Sequence, residues 1–139
     1  METRIEIAIN IIHAKIGYLL ASLSSYSDLG LHMGISKINN DLDVVKESFM
    51  MEDYIFDTRK LVNLRDEIKT LENRLGDYNS QNNFLGHRLA CQVFEISLLI
   101  KQIIIDFKVD NEEIEEFLLH ISRYFVIVGN IINKELLYF

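Results

Sequence analysis

Apolar residues recur along this chain at intervals of three and four, the period of one face of an α-helix. Ile5, Ile9, Ile12, Ile16, Leu19, Leu20 and Leu23 form the first such stripe. Thr3 and Glu6 stand ahead of it at the spacing of a capping box, which predicts a helix starting just after Thr3. That helix is expected to close in Ser24–Asp28, before a looser stretch that holds Gly30 and Gly34. Ile38, Leu42, Val45 and Phe49 carry a second stripe, with Ser36 as the expected cap and an end near Met51 or beyond it.

From about Tyr54 to Leu75 the pattern sharpens. Leu61, Leu64, Ile68, Leu71 and Leu75 step alternately by three and four, a heptad seam about two heptads long. Such a seam serves either the core of one bundle or the meeting of two copies. Gly76 follows it where a C-cap glycine belongs, and residues 77–83 read as a loop. Leu85, Leu89, Val93, Ile96, Ile100, Ile103 and Phe107 predict a fourth helix. Phe94, Leu99 and Ile104 broaden its apolar arc, so it is expected to be the most buried.

Asp110 is the expected cap of the last helix, with Glu113 as its N3 partner. Glu112, Glu113, Glu115 and Glu116 then complement the positive end of the helix dipole. Ile114, Phe117, Leu118, Ile121, Phe125, Val128, Ile132 and Leu136 carry the stripe. Gly129 lies inside it, at a cost of up to about 1 kcal/mol relative to alanine, and marks a place for close helix contact. No period-two pattern survives inspection. The fold expected is all-α, a single-domain bundle of four to five helices over residues 1–139, antiparallel where loops are short.

Composition agrees with this reading. The chain has 139 residues, 49% of them hydrophobic and 25% charged, which suits one domain with one core. It contains no proline, so its strongest helix breaker is missing. Lys101, Asp106 and Arg123 interrupt the longest apolar runs short of the ~18 residues of a spanning helix, and the N-terminus lacks the pattern of a signal peptide, so no membrane partner is expected. Cys91 is alone, which points to a reducing, cytoplasmic setting.

Charge narrows the partners. The net charge of −7 repels a phosphate backbone, and the most basic stretch, Arg59 to Arg74, is interrupted by Asp66, Glu67 and Glu72. Nucleic acid is therefore not expected. Two acidic clusters stand out instead. The first holds Asp41, Asp43, Glu47, Glu52, Asp53 and Asp57, with Phe49, Tyr54 and Phe56 among them. The second holds Glu112, Glu113, Glu115 and Glu116, followed by Phe117 and Tyr124. One reading makes them solvated helix starts. The other makes Asp41, Asp43, Glu47, Glu52, Asp53, Tyr54, Asp57, Glu112, Glu113 and Glu116 a docking face for a basic protein.

No catalytic pattern competes strongly with that. Glu116 and His120 share a face, but a di-iron bundle wants two Glu-x-x-His pairs and two further glutamates, so neither metal nor cofactor is expected. Cys91 has no local nucleophile signature and reads as a small buried hydrophobe. Phosphate-binding glycine motifs are missing. Helical ribonucleases of the HEPN type carry an arginine four to six residues before a histidine, and no arginine here has that spacing. In character alone, without a shared motif, the chain resembles the immunity proteins of bacterial toxin systems. That resemblance implies a small, acidic, non-enzymatic protein that neutralises a basic partner such as a nuclease toxin. The alternative is a self-associating scaffold or regulator, a homodimer through the Leu61–Leu75 seam and the apolar end Leu136-Leu137-Tyr138-Phe139.

Overall fold

The computed structural model describes residues 3–78 and 86–136, so Leu85, most of the predicted loop and the last three apolar residues lie outside it. The described residues are mostly helical, without a strand. The helices are α1 (Arg4–Leu23), α2 (His32–Asp41), α3 (Asp43–Met50), α4 (Thr58–Leu75), α5 (Arg88–Phe107) and α6 (Glu112–Leu136). Leu42 keeps helical torsions between α2 and α3, so those two form one bent rod and the described residues make five helical rods. A 3-10 segment, Ser24–Leu29, links α1 to α2.

The ends show where local sequence decides. Thr3 caps α1: its hydroxyl accepts from the Glu6 N–H at 3.2 Å, and the Thr3 N–H donates to Glu6 at 3.3 Å. Gly76 ends α4 at φ 66°, a torsion that favours glycine. Two expected caps are displaced. α2 begins at His32, after a left-handed turn at Gly30, and has no side-chain cap, so Ser36 lies inside the helix. There the burial of Leu29, Leu31 and Ile35 fixes the start of the helix. α6 is capped by Asn111, not Asp110: its Oδ1 accepts from the N–H groups of Glu113 and Ile114 at 3.0 and 3.2 Å. The shift follows from Lys108, whose left-handed φ of 44° ends α5 and brings the chain round one residue later.

The helices form a layer in the order α1, α5, α6, α4, with α2 and α3 packed against α1. α5 and α6 are antiparallel and very close. Ser97 Oγ donates to the Ser122 carbonyl at 3.0 Å, and Ser122 Oγ donates back to the Ser97 carbonyl at 3.2 Å. Two turns further along α6, Gly129 faces the Phe94 ring, where an added Cβ would lie 2.7 Å from Cζ. The close contact expected at Gly129 is therefore present.

α4 runs parallel to α6. Arg65 pairs with Glu116, Arg123 with Glu72 and Arg74 with Glu135. The heptad seam Leu61–Leu75 is buried within this one chain, packed on α6, which removes it as the meeting place of two copies. The most buried helix is α6, not α5: from Ile127 to Asn133 every residue is buried, because α5 and α4 cover it from both sides. α1 buries only the stripe Ile5, Ile9, Ile12, Ile16, Leu19 and Leu23. By length and composition the run Arg4–Leu29 is apolar enough to cross a membrane, and no other described helix is.

Candidate functional site

The two acidic clusters lie more than fifty residues apart in sequence, and the fold brings Glu52 and Tyr54 of the first to a groove whose other wall ends at Asn111, the residue before Glu112 of the second. α3 ends at Met50, and the extended segment 51–57 leads away from it toward α4. Across from it, the turn between α5 and α6 reverses the chain over Lys108 to Asn111. A groove of about 470 Å³ opens between them, lined by Phe49, Met51, Glu52 and Tyr54 on one wall and by Phe107, Val109 and Asp110 on the other. Phe49 meets Phe107 edge to face at 6.3 Å between centroids, which closes the groove at its base. The Arg4 guanidinium lies 5.8 Å from the Phe107 centroid and holds that ring to the start of α1.

Exposed apolar side chains lie in the lining of this groove and beside it in sequence. Phe49, Met50, Met51 and Ile55 are exposed, Ile55 at 90%. Acids frame the apolar surface. Glu52, Asp53 and Asp110 are exposed, and Glu112 and Glu113 follow on the first turn of α6. Glu47 sits one turn before Met51, whose N–H donates to its carbonyl at 3.1 Å. Burial pushes the Tyr54 phenol above its usual value, and the charges of Glu47 and Asp57 push it further against the opposing Lys60. Lys108 is the basic residue in the lining.

Not every acid singled out in the sequence is available to a partner. Asp41 pairs with Lys60 at 3.1 Å, and its side chain is only 16% exposed. Asp43 accepts from His13 at 2.9 Å and pairs with Lys46 at 3.3 Å. Partial burial raises the Asp43 carboxyl, but the hydrogen bonds and charges of His13 and Lys46 outweigh it and hold it below the usual carboxylate range. Asp57 caps α4 and binds the Arg59 side chain, whose hydrogen bonds hold its carboxyl low. Glu116 is turned to Arg65, while His120 Nδ1 meets the Glu116 backbone carbonyl at 2.8 Å, so these two do not converge on an ion. Of the residues singled out, Glu52 and Tyr54 line the groove, while Glu47, Asp53, Glu112 and Glu113 stand beside its lining in sequence.

Phe107, Val109 and Asp110 complete the groove, and the sequence pattern assigns none of them to a binding face. Phe107 continued an apolar stripe and so looked like core. The signal that could have found it is the polar run after it, which ends α5 and leaves its last aromatic at a rim.

A second polar group lies at the other end of the bundle. The His87 N–H donates to Asn133 Oδ1 at 2.8 Å, and His87 Nδ1 accepts from the Leu89 N–H at 3.1 Å as the cap of α5. Burial lowers the His87 pKa, helped by the charge of Arg88. Tyr26 packs edge to face on the ring at 5.8 Å. This group is explained by the helix start it builds. Comparison with protein-family models, with curated proteins and with solved structures finds no match.

Proposed function

We propose that this protein is a binding module that docks a basic protein in the groove between the α3 end and the α5–α6 turn. The observation that carries the reading is the meeting there of exposed Phe49 and Met51 and half-buried Tyr54 and Phe107 with the carboxylates of Glu52 and Asp110. Aromatic and methionine side chains at the centre with charge at the edge make a sensible composition for a protein interface. The carboxylates would speed encounter with a cationic partner and select against anionic ones. The partner class that fits is a basic protein such as a nuclease toxin, which this chain would neutralise by covering its phosphate-binding surface, in the manner of an immunity protein.

The test is affinity capture of the protein from its own cells, with the product of the adjacent gene assayed directly as a candidate ligand. The expected result is a stoichiometric basic protein whose activity falls on binding. A Glu47→Lys, Asp53→Lys variant should keep the parent's melting curve and lose about tenfold or more in affinity, mostly through slower association at low salt. If the captured partner binds that variant as tightly as the parent, the groove is not the docking site.

A further inference from the structure

We infer that the outer face of α1 and α5 is a self-association surface, on which a second copy of this chain packs its own α1 and α5. The two helices form the edge of the layer and run antiparallel, with Lys15 of α1 paired to Glu95 of α5. Their inner stripes are in the core, yet α1 carries a second apolar stripe facing away from it, Ile7, Ile11, Ala14 and Tyr18, and α5 adds the exposed Leu98 and Ile105 beside the exposed polar Lys101 and Gln102. Two hollows open along the groove between the helices: one is lined by Ala14, Lys15, Tyr18, Gln92 and Glu95, the other by Ile11, Leu99, Gln102 and Asp106 among others. Only 28% of the most apolar window of Arg4–Leu29 is buried, although its mean hydropathy is 1.4. α1 is therefore far more apolar than its share of the core requires.

Area and charge select the occupant. Ile7, Ile11, Tyr18, Leu98 and Ile105 are 46, 47, 66, 49 and 71% exposed. With whole-residue areas on the order of 200 Å², these five offer roughly 550 Å². The exposed Ala14, Gly17 and Ala21 extend the face toward the ~800 Å² that each partner of a standard interface buries. α1 carries Arg4 and Lys15 against Glu6, and α5 carries Arg88 and Lys101 against Glu95 and Asp106. This pair of helices is thus slightly positive within a chain of net charge −7. Two copies of an acidic protein repel each other least across that face, and a basic partner gains nothing there. A two-fold arrangement would place Ala14 and Leu98, which lie near the middle of α1 and α5, close to the axis. The inference is independent of the groove reading, since either surface can fail without the other.

Sedimentation velocity of the full chain over a concentration series tests it. The expected result is reversible dimerisation, with a mass approaching twice the 16.2 kDa of one chain. A Tyr18→Asp, Ile105→Asp variant should melt like the parent and weaken dimerisation by about tenfold or more. Leu98→Cys in a Cys91→Ser background should form a covalent dimer on mild oxidation. A parent that stays monomeric at the highest concentration reached would overturn the inference. So would a dimer that the double variant leaves unchanged, since its interface would then lie elsewhere. Flotation of a monomeric parent with phosphatidylglycerol vesicles, abolished by the double variant, would reassign the face to a lipid surface.

Discussion

Gly129 shows how one missing side chain sets the distance between two helices. The Phe94 ring occupies the space a Cβ would need, and both residues are buried, so neither can move without disturbing α5 or α6. Gly129→Ala gains helix propensity but forces that ring aside. Overpacking of this kind costs about 1–3 kcal/mol, and we expect the loss to dominate. A urea titration should show a lower midpoint with an unchanged slope. His87 makes a different residue-scale statement. Its ring must be neutral at Nδ1 to accept from the Leu89 N–H, and burial holds its pKa below the ordinary 6.5. The folded state therefore binds this proton more weakly than the unfolded chain does. The His87 contribution to stability is complete above pH 6.5 and is lost as pH falls below it toward the depressed folded-state value. His87→Asn supplies a cap that does not titrate there. The parent should lose more stability than this variant between pH 7 and pH 5.5, by chemical denaturation at each pH.

Among the elements, α6 is the organiser. It meets α5 along an antiparallel contact of small residues and α4 along a parallel contact of leucines, edged by ion pairs. The reciprocal Ser97–Ser122 hydrogen bonds satisfy two buried hydroxyls where the helices are closest. At the far end, Lys134 Nζ donates to the carbonyls of Arg74 and Leu75, at 3.1 and 2.9 Å. These are terminal carbonyls of α4 with no partner inside that helix, so a residue of α6 completes the end of α4. Lys134→Met keeps the aliphatic stem and removes the donor. We expect a loss of about 1–2 kcal/mol, the scale of a charged hydrogen bond at a partly buried site. Hydrogen exchange should locate the faster opening in the last turn of α4 while the centre of α5 changes little.

For the molecule as a whole, one core joins all the helices, and Ile100 lies inside it with no exposed surface. Ile100→Asp puts an unpaired carboxylate there, and we expect a chain that no longer folds cooperatively near neutral pH, seen as loss of the thermal transition. Around the core the surface divides by charge. The groove at the α3 end is acidic and apolar, whereas the α1–α5 face is apolar and close to neutral. On the two proposals, one of these faces would hold a second copy of the chain and the other a basic protein.

The sequence by itself determined the helices, because amphipathic period, capping box and turn residues act over a few positions. The Thr3–Glu6 cap, the Gly76 end and the buried stripes of α1 and α4 were all legible there. Ser36 and Asp110 misled because a cap is chosen by where the chain is anchored on the core, and Leu31 and Lys108 move those points. Which acids stay free was also beyond the sequence: Asp41, Asp43 and Glu116 find basic partners on other helices. The parallel packing of α4 on α6 settled that the heptad seam is internal, and the burial of α6 between two neighbours made it, rather than α5, the central helix. Periodicity shows that a face is apolar, but what covers that face depends on contacts between residues far apart in the chain. The same holds for the outer stripe of α1, where only the positions of the other helices reveal that none of the described helices lies over it.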